Sequence, residues 1–309
     1  MSSKATCQIC QEEFESEKSL HHHLKKHGTT MAEYYTVHYP RLNLLNGDPL
    51  PFKNKEQYFN SDFSTRQQLL KWCKQESRET VEPYILDLLK KRVESKELKI
   101  GPSHLELKLS SLPTVDIYQE VFGSYSVACE KVGVKPMFGS RLPEKLFTSS
   151  LAHVNIFIDT REQQPLKFNT SEDMKLDVGD YTSAGEYYSY TYVDRKSDQD
   201  FKSTLSKHNL DRFEAELQRA KEMGVYLYIA TESDLTQIYK SNRWGPHKSN
   251  LKYIFHNMRV LAHKYAGHCQ FIFTGSREGS EKLIPELLVR GKELWDVDIQ
   301  YYIDNHELG

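Results

Sequence analysis

Val154-Asn-Ile-Phe-Ile-Asp159-Thr-Arg161-Glu162, Val178-Gly179-Asp180-Tyr181 and Tyr192-Val-Asp194-Arg195-Lys196-Ser-Asp-Gln-Asp200-Phe201 follow one another between residues 154 and 201. Three apolar or alternating runs each deliver acidic groups at one end, and the last adds a lysine two residues later. Side chains of a strand alternate with a period of two, so Asp194 and Lys196 share a face. Carboxylates that hold Mg²⁺ (or Mn²⁺) against a phosphate, with an ammonium beside the attacking water, are what metal-assisted phosphodiester hydrolysis requires. Asp-Arg-Lys alone is an ordinary polar strand end. With Asp159 and Asp180 upstream it becomes a candidate site.

Around this stretch, residues 150–309 alternate in texture. Strands are expected near 154–158, 174–180, 187–194, 225–230 and 270–274, and helices near 210–223, 249–266 and 280–294. Gly224 suits the C-terminal end of the helix before the fourth strand. The tail Asp296-Val-Asp-Ile-Gln-Tyr-Tyr-Ile-Asp304 alternates like an added strand. An α/β domain with a mixed sheet flanked by helices follows from this alternation.

The ordered motifs Ile-Asp159-x-Arg161-Glu162, Gly179-Asp180-Tyr181 and Asp194-Arg195-Lys196-Ser197-x-x-Asp200 resemble the nuclease domain of XPF-type enzymes, a restriction-endonuclease-like branch of the PD-(D/E)xK superfamily. Asn209-Leu-Asp-Arg212-Phe213 with Glu216-Leu217 resembles that family's next helix, and the likeness runs over 154–295. The resemblance implies that Asp180 and Asp194 bind catalytic Mg²⁺ or Mn²⁺, that Lys196 positions or polarises water, and that Asp159 supports the metal shell. It places Arg161, Glu162 and Asp200 at family positions and admits a homodimer through the nuclease domain. Two departures stand out. The family usually has Glu where this chain has Asp194, a loss of about 1.5 Å of reach. The sequence also reaches Gly309 without the tandem helix-hairpin-helix tail of eukaryotic XPF enzymes.

Residues 1–28 carry Cys7-x₂-Cys10-x₁₂-His23-x₃-His27, the spacing of a C₂H₂ zinc site in a ββα finger, with Phe14 and Leu20 as its small core. His21 and His22 are rivals by count, but the spacing from Leu20 favours His23. Zn²⁺ is structural here, because so small a unit does not fold without metal. Ser16, Ser19 and His22 would occupy the outer helix face that reads bases in DNA-binding fingers. Residues 29–60, rich in Tyr, Pro and Asn, read as a connector whose Tyr34, Tyr35, Phe52 and Phe59 pack on a neighbour.

Residues 61–140 read as a helical DNA-binding segment. Ser64 with Gln67 and Gln68 opens one helix, and Tyr84, Leu86 (or Ile85), Leu88 and Leu89 mark a second. Within 101–134, Leu112-Pro113 and Phe122-Gly123-Ser124 divide short helices in a helix-turn-helix pattern. The run Leu-Pro…Phe-Gly-Ser-Tyr…Ala…Val-Gly resembles the repeat found beside nuclease domains of phage and microbial homing endonucleases. That likeness implies that Thr114, Asp116 and Gln119, on a helix beginning near Thr114, approach the major groove of double-stranded DNA.

Composition is neutral on partners. The net charge is −2, and the local excess of nine Lys/Arg over six acids between Ser64 and Lys99 is also what a solvated helix face provides. No apolar run reaches the roughly 20 residues of a membrane helix. Five cysteines, an odd number, fit a reducing compartment, so an intracellular protein is expected: host cytoplasm or nucleoid for a phage or bacterial source. Cys73, Cys129 and Cys269 read as core thiols, and Trp72, Trp244 and Trp295 as packing residues, with Trp244 in Asn242-Arg-Trp-Gly-Pro-His247 alternatively on a substrate-facing loop. These features combine into a site-specific, Mg²⁺-dependent DNA endonuclease of homing type. The alternatives are a structure-specific flap or junction endonuclease and a DNA-binding regulator with a disabled nuclease fold.

Overall fold

The computed structural model describes residues 4–52, 58, 62–144, 151–245 and 248–306. Phe59 and His247 lie outside them. At the N-terminus β1 (Ala5–Thr6) and β2 (Glu13–Phe14) pair antiparallel and lead into α1 (Glu17–His23). The connector is more regular than its composition suggests. Thr30 and Glu33 form a reciprocal capping box that starts α2 (Met31–His38), and Tyr34 on that helix is buried with Cys7, Leu20 and Leu24. The finger and the start of the connector therefore share one core. Asn43 then bonds Gln68 at 2.8 Å, and Arg41 pairs with Asp62, tying the connector to the helices that follow.

Those helices are α3 (Arg66–Gln75), α4 (Arg78–Ser95), α5 (His104–Leu109), α6 (Val115–Phe122) and α7 (Tyr125–Lys131). The first starts one residue later than Ser64 suggested: Thr65 caps it, with Gln68 closing the box. Leu69, Trp72, Ile85 and Leu89 share a core with Leu107, Ile117, Tyr118, Val121 and Phe122. Gly123 ends α6 with φ +83°, a left-handed turn that glycine adopts without strain.

The C-terminal domain contains β3 (Asn155–Asp159), β4 (Thr170–Met174), β5 (Tyr181–Ser183), β6 (Thr191–Lys196), α8 (Asp198–Thr204), α9 (Leu210–Glu222), β7 (Tyr226–Thr231), α10 (Leu235–Trp244), α11 (Leu251–Lys264), β8 (Cys269–Phe273), α12 (Arg277–Arg290), α13 (Lys292–Trp295) and α14 (Ile299–Asp304). The six strands lie in the order β4-β3-β5-β6-β7-β8, antiparallel only around β5, so the sheet is mixed as expected. Tyr226, Tyr228 and Ala230 of β7 pack with Ile284, Leu287 and Leu288 on one face of the sheet. Leu227 and Ile229 pack with Phe213, Leu217, Met258 and Leu261 on the other. Both faces of this central strand are covered, which is why it reads as a continuous apolar run.

Three expectations change. No strand spans 174–180; Met174 ends β4, residues 175–180 form the loop entering β5, and the extra strand is β4, whose Thr-Ser-Glu-Asp-Met sequence is exposed throughout. Its Glu172 and Asp173 charge an edge that would otherwise invite pairing. Helices α8 and α10 were not anticipated. The tail is a helix and not an added strand: Asp298 caps α14, and the tail's side chains cover the outer edge of β8. Gln300 Oε1 accepts from Phe273 N at 2.7 Å, and Gln270 Nε2 donates to Val297 O at 3.0 Å. The tail also holds the helical segment, through His104 N to Asp298 at 2.9 Å and Lys108 to Asp304 at 2.7 Å. Among the described residues no helix is long and apolar enough to cross a membrane.

Candidate active site and metal centre

The acidic motifs meet because three adjacent strands bring their ends together. Asp159 N donates to Asp180 O at 2.8 Å, and Asp180 N donates to Val193 O at 2.8 Å, so the acids stand side by side across β3, β5 and β6. Gly179 makes the turn feasible. Its φ is +63°, and a Cβ there would come within 2.9 Å of Val193 O. A larger residue would clash with the strand that carries Asp194.

Val193 faces the core around Tyr226 and Tyr228, so Tyr192, Asp194 and Lys196 face the opposite side, toward α9. Asp194 is 2% exposed; its Oδ1 pairs with Lys196 Nζ, while its buried Oδ2 has no hydrogen-bond partner. Asp180 Oδ2 accepts from Arg195 N at 2.7 Å. Burial, and then the Asp194 charge, push the Asp180 carboxyl well above the usual carboxylate range, against the pull of Lys196. Burial alone would lower the Lys196 ammonium, but Asp194 and Asp180 outweigh it and raise its pKa. Lys196 is therefore a fixed cation, not a proton acceptor at neutral pH.

Glu216 joins these groups from α9, and the sequence reading gave it no role. Gly179 N donates to its Oε1 at 3.1 Å, and burial followed by the Asp194 charge raises its pKa. A signal was available. Phe213, Leu217 and Ala220 are the buried stripe of α9, and Glu216 lies within that helical spacing, where an acid has no packing reason to be.

The other motif residues support the frame. Asp159 has both oxygens engaged: Arg161 Nε and N donate to Oδ1 at 2.7 Å, and Leu176 N donates to Oδ2 at 2.7 Å. Burial would raise its carboxyl, but the Arg161 fork and the backbone amides hold it down at about 2. Asp159 thus clasps the loop leading to Gly179 through Arg161 and Leu176. Glu162 pairs with Arg195 at 3.1 Å, and Arg195 reaches Glu232 at 3.0 Å on the face away from Asp194. Asp200 is exposed; Ser197 caps α8 by accepting from Asp200 N at 3.1 Å, and its Oγ donates to Asp200 Oδ2 at 2.6 Å.

In the finger, the ligand atoms of Cys7, Cys10, His23 and His27 all lie within 4.8 Å of one another. Two thiols and two imidazoles gathered so closely fit tetrahedral Zn²⁺. His21 instead meets the Tyr35 hydroxyl at 3.2 Å, and neither it nor His22 belongs to this cluster. Ser19 and His22 are exposed on α1, whereas Ser16 is its cap, accepting from Ser19 N at 3.2 Å. Thr114 stands at the N-cap position of α6 without a side-chain capping bond and is half-buried. The Tyr301 hydroxyl of α14 lies 3.0 Å from Asp116 Oδ1 and 3.2 Å from Gln119 Oε1. The face expected to read DNA therefore already contacts the α/β domain.

No protein-family model matches the sequence, and no curated protein matches it. Among solved structures the chain is similar to XPF from Aeropyrum pernix in complex with DNA, at 20% identity over 44% of this chain and 64% of that one, with a TM-score of 0.33. It is also similar to XPF from Aeropyrum pernix at 18% identity over 45% of this chain and 67% of that one, with a TM-score of 0.34. The chain thus spans less than two thirds of the first of these structures.

Proposed function

We propose that the chain is a divalent-cation-dependent DNA endonuclease whose hydrolytic site is formed by Asp180, Asp194 and Lys196. The observation that carries this reading is Asp194: a buried carboxylate with one oxygen on Lys196 and the other unpartnered. An uncompensated buried oxygen costs stability unless something occupies it, and a hard cation suits an oxygen-only site. When bound, Mg²⁺ or Mn²⁺ supplies a Lewis acid for the phosphoryl oxygens and acidifies water. Asp180 and Asp194 hold and orient it. Lys196, fixed as a cation, positions water and offsets charge building on the phosphate. Arg195 keeps β6 in place through Glu162 and Glu232. Zn²⁺ on Cys7, Cys10, His23 and His27 keeps the finger folded and takes no part in hydrolysis.

Site-specific cleavage of duplex DNA, as in homing enzymes, fits a finger with exposed Ser19 and His22 ahead of the helical segment. A second reading, cleavage at flaps or junctions, gains weight from Tyr301, which engages Asp116 and Gln119 and leaves α6 fewer free groups for base edges. Cleavage of a random-sequence duplex library beside a flap and junction panel separates them. Site-specific action gives products sharing a sequence motif displaced to one side of the cut; structure-specific action gives cuts that follow the branch point in any sequence. Cleavage of neither substrate with Mg²⁺ or Mn²⁺ present overturns the endonuclease reading.

A further inference from the structure

Three carboxylates around Lys196 share one arrangement. Asp180 uses Oδ2 to accept from Arg195 N, Asp194 uses Oδ1 on Lys196, and Glu216 uses Oε1 to accept from Gly179 N. In each case the second oxygen has no hydrogen-bond partner among the described residues. Asp194 Oδ2 is fully buried in that state. Gly179 and Asp180 are adjacent in the chain, as are Asp194 and Arg195, so the bonds that fix one acid also fix the strand end carrying another. Three carboxyl groups facing one ammonium offer hard oxygen ligands, and a divalent cation bound there would offset the charge left when they ionise.

We infer that Glu216, on the helix after the Asp194–Lys196 strand, is the third carboxylate of the divalent-cation site, offering Oε2 beside Asp180 and Asp194. This rests on the endonuclease reading of the same site. The placement also addresses the short reach of Asp194: an acid arriving from α9 approaches from the side that Asp194 and Lys196 face. The alternative for Glu216 is a purely structural acceptor for Gly179 N–H. Glu216→Gln separates the two, because glutamine keeps the acceptor and loses the charge.

The test is Mn²⁺ binding to the zinc-loaded full chain, followed through the electron-paramagnetic-resonance signal of free Mn²⁺, for the wild type, Glu216→Gln and Asp194→Asn. Glu216→Gln is expected to keep the wild-type circular dichroism and weaken Mn²⁺ binding about tenfold or more, with cleavage partly recovered at high Mn²⁺. Wild-type Mn²⁺ affinity in Glu216→Gln, with Asp194→Asn weakened, overturns the role of Glu216 and leaves the cation site standing on Asp180 and Asp194. Unchanged affinity in both variants overturns the cation site itself.

Discussion

The finger and the acidic site gather metal-binding side chains in opposite ways. Cys7, Cys10, His23 and His27 are within 4.8 Å of one another, supplied by one short stretch whose core is little more than Leu20, Leu24 and Tyr34. On the proposed reading, Zn²⁺ bound there stabilises the fold. Asp180, Asp194 and Glu216 come from two strand ends and a helix, and among the described residues only the Cys7 cluster is drawn so tightly together. Burial and then the Asp194 charge work against ionisation of Asp180 and Glu216, and the sheet with its two cores keeps these groups beside Lys196. The fold maintains that site at some cost in stability.

Zinc removal should give the largest effect. Cys7→Ser, or chelation, should unfold residues 5–39 and not only 1–28, since Tyr34 of α2 belongs to the finger's core. Amide hydrogen exchange should show protection lost across both α1 and α2, while the thermal transition of the α/β domain and cleavage at saturating DNA persist. Loss of turnover at saturating DNA would place zinc in the active site and erase the contrast.

A smaller effect should appear at the acidic site in metal-free protein. The pKa values of Asp180 and Glu216 are raised on folding, so the stability they contribute is complete below their ordinary values of 3.8 and 4.5 and is lost as pH rises through their folded values. Asp159 behaves oppositely: its contribution is present above 3.8 and lost as pH falls toward about 2. Metal-free Tm should therefore decline with rising pH above about 4, and Mg²⁺ should cancel the decline. Asp180→Asn, which keeps the acceptor for Arg195 N, should raise metal-free Tm at neutral pH by about 2–4 °C, the yield of ~1 kcal/mol in a domain of this size. A lower Tm for this variant would mean that the acids do not strain the fold.

Legibility in the sequence followed how local each feature is. The finger's ligands are set by spacing within one short stretch, and the central strands by long apolar runs buried on both faces. Strand β4 was invisible because an exposed edge strand of Thr, Ser, Glu, Asp and Met has no apolar period. The tail misled because Val297, Ile299 and Ile303 alternate with polar residues, while the Asp298 cap and the Gln270 and Gln300 contacts to β8 decide for helix. The motif order named Asp180, Asp194 and Lys196, which the fold brings together, but motif order carries no information on which oxygens are already engaged. Only the fold shows Asp159 consumed by Arg161 and Leu176, and Glu216 delivered from α9.

The most direct test of the central claim is cleavage of DNA under single-turnover conditions by the zinc-loaded full chain, with Mg²⁺ added, with EDTA, and with Asp194→Asn in place of the wild type. The expected result is cut DNA from the wild type only when Mg²⁺ or Mn²⁺ is present, and none from Asp194→Asn although it still binds DNA. Cutting that survives EDTA, or that Asp194→Asn performs at the wild-type rate, would contradict a cation-dependent hydrolytic site at Asp180, Asp194 and Lys196.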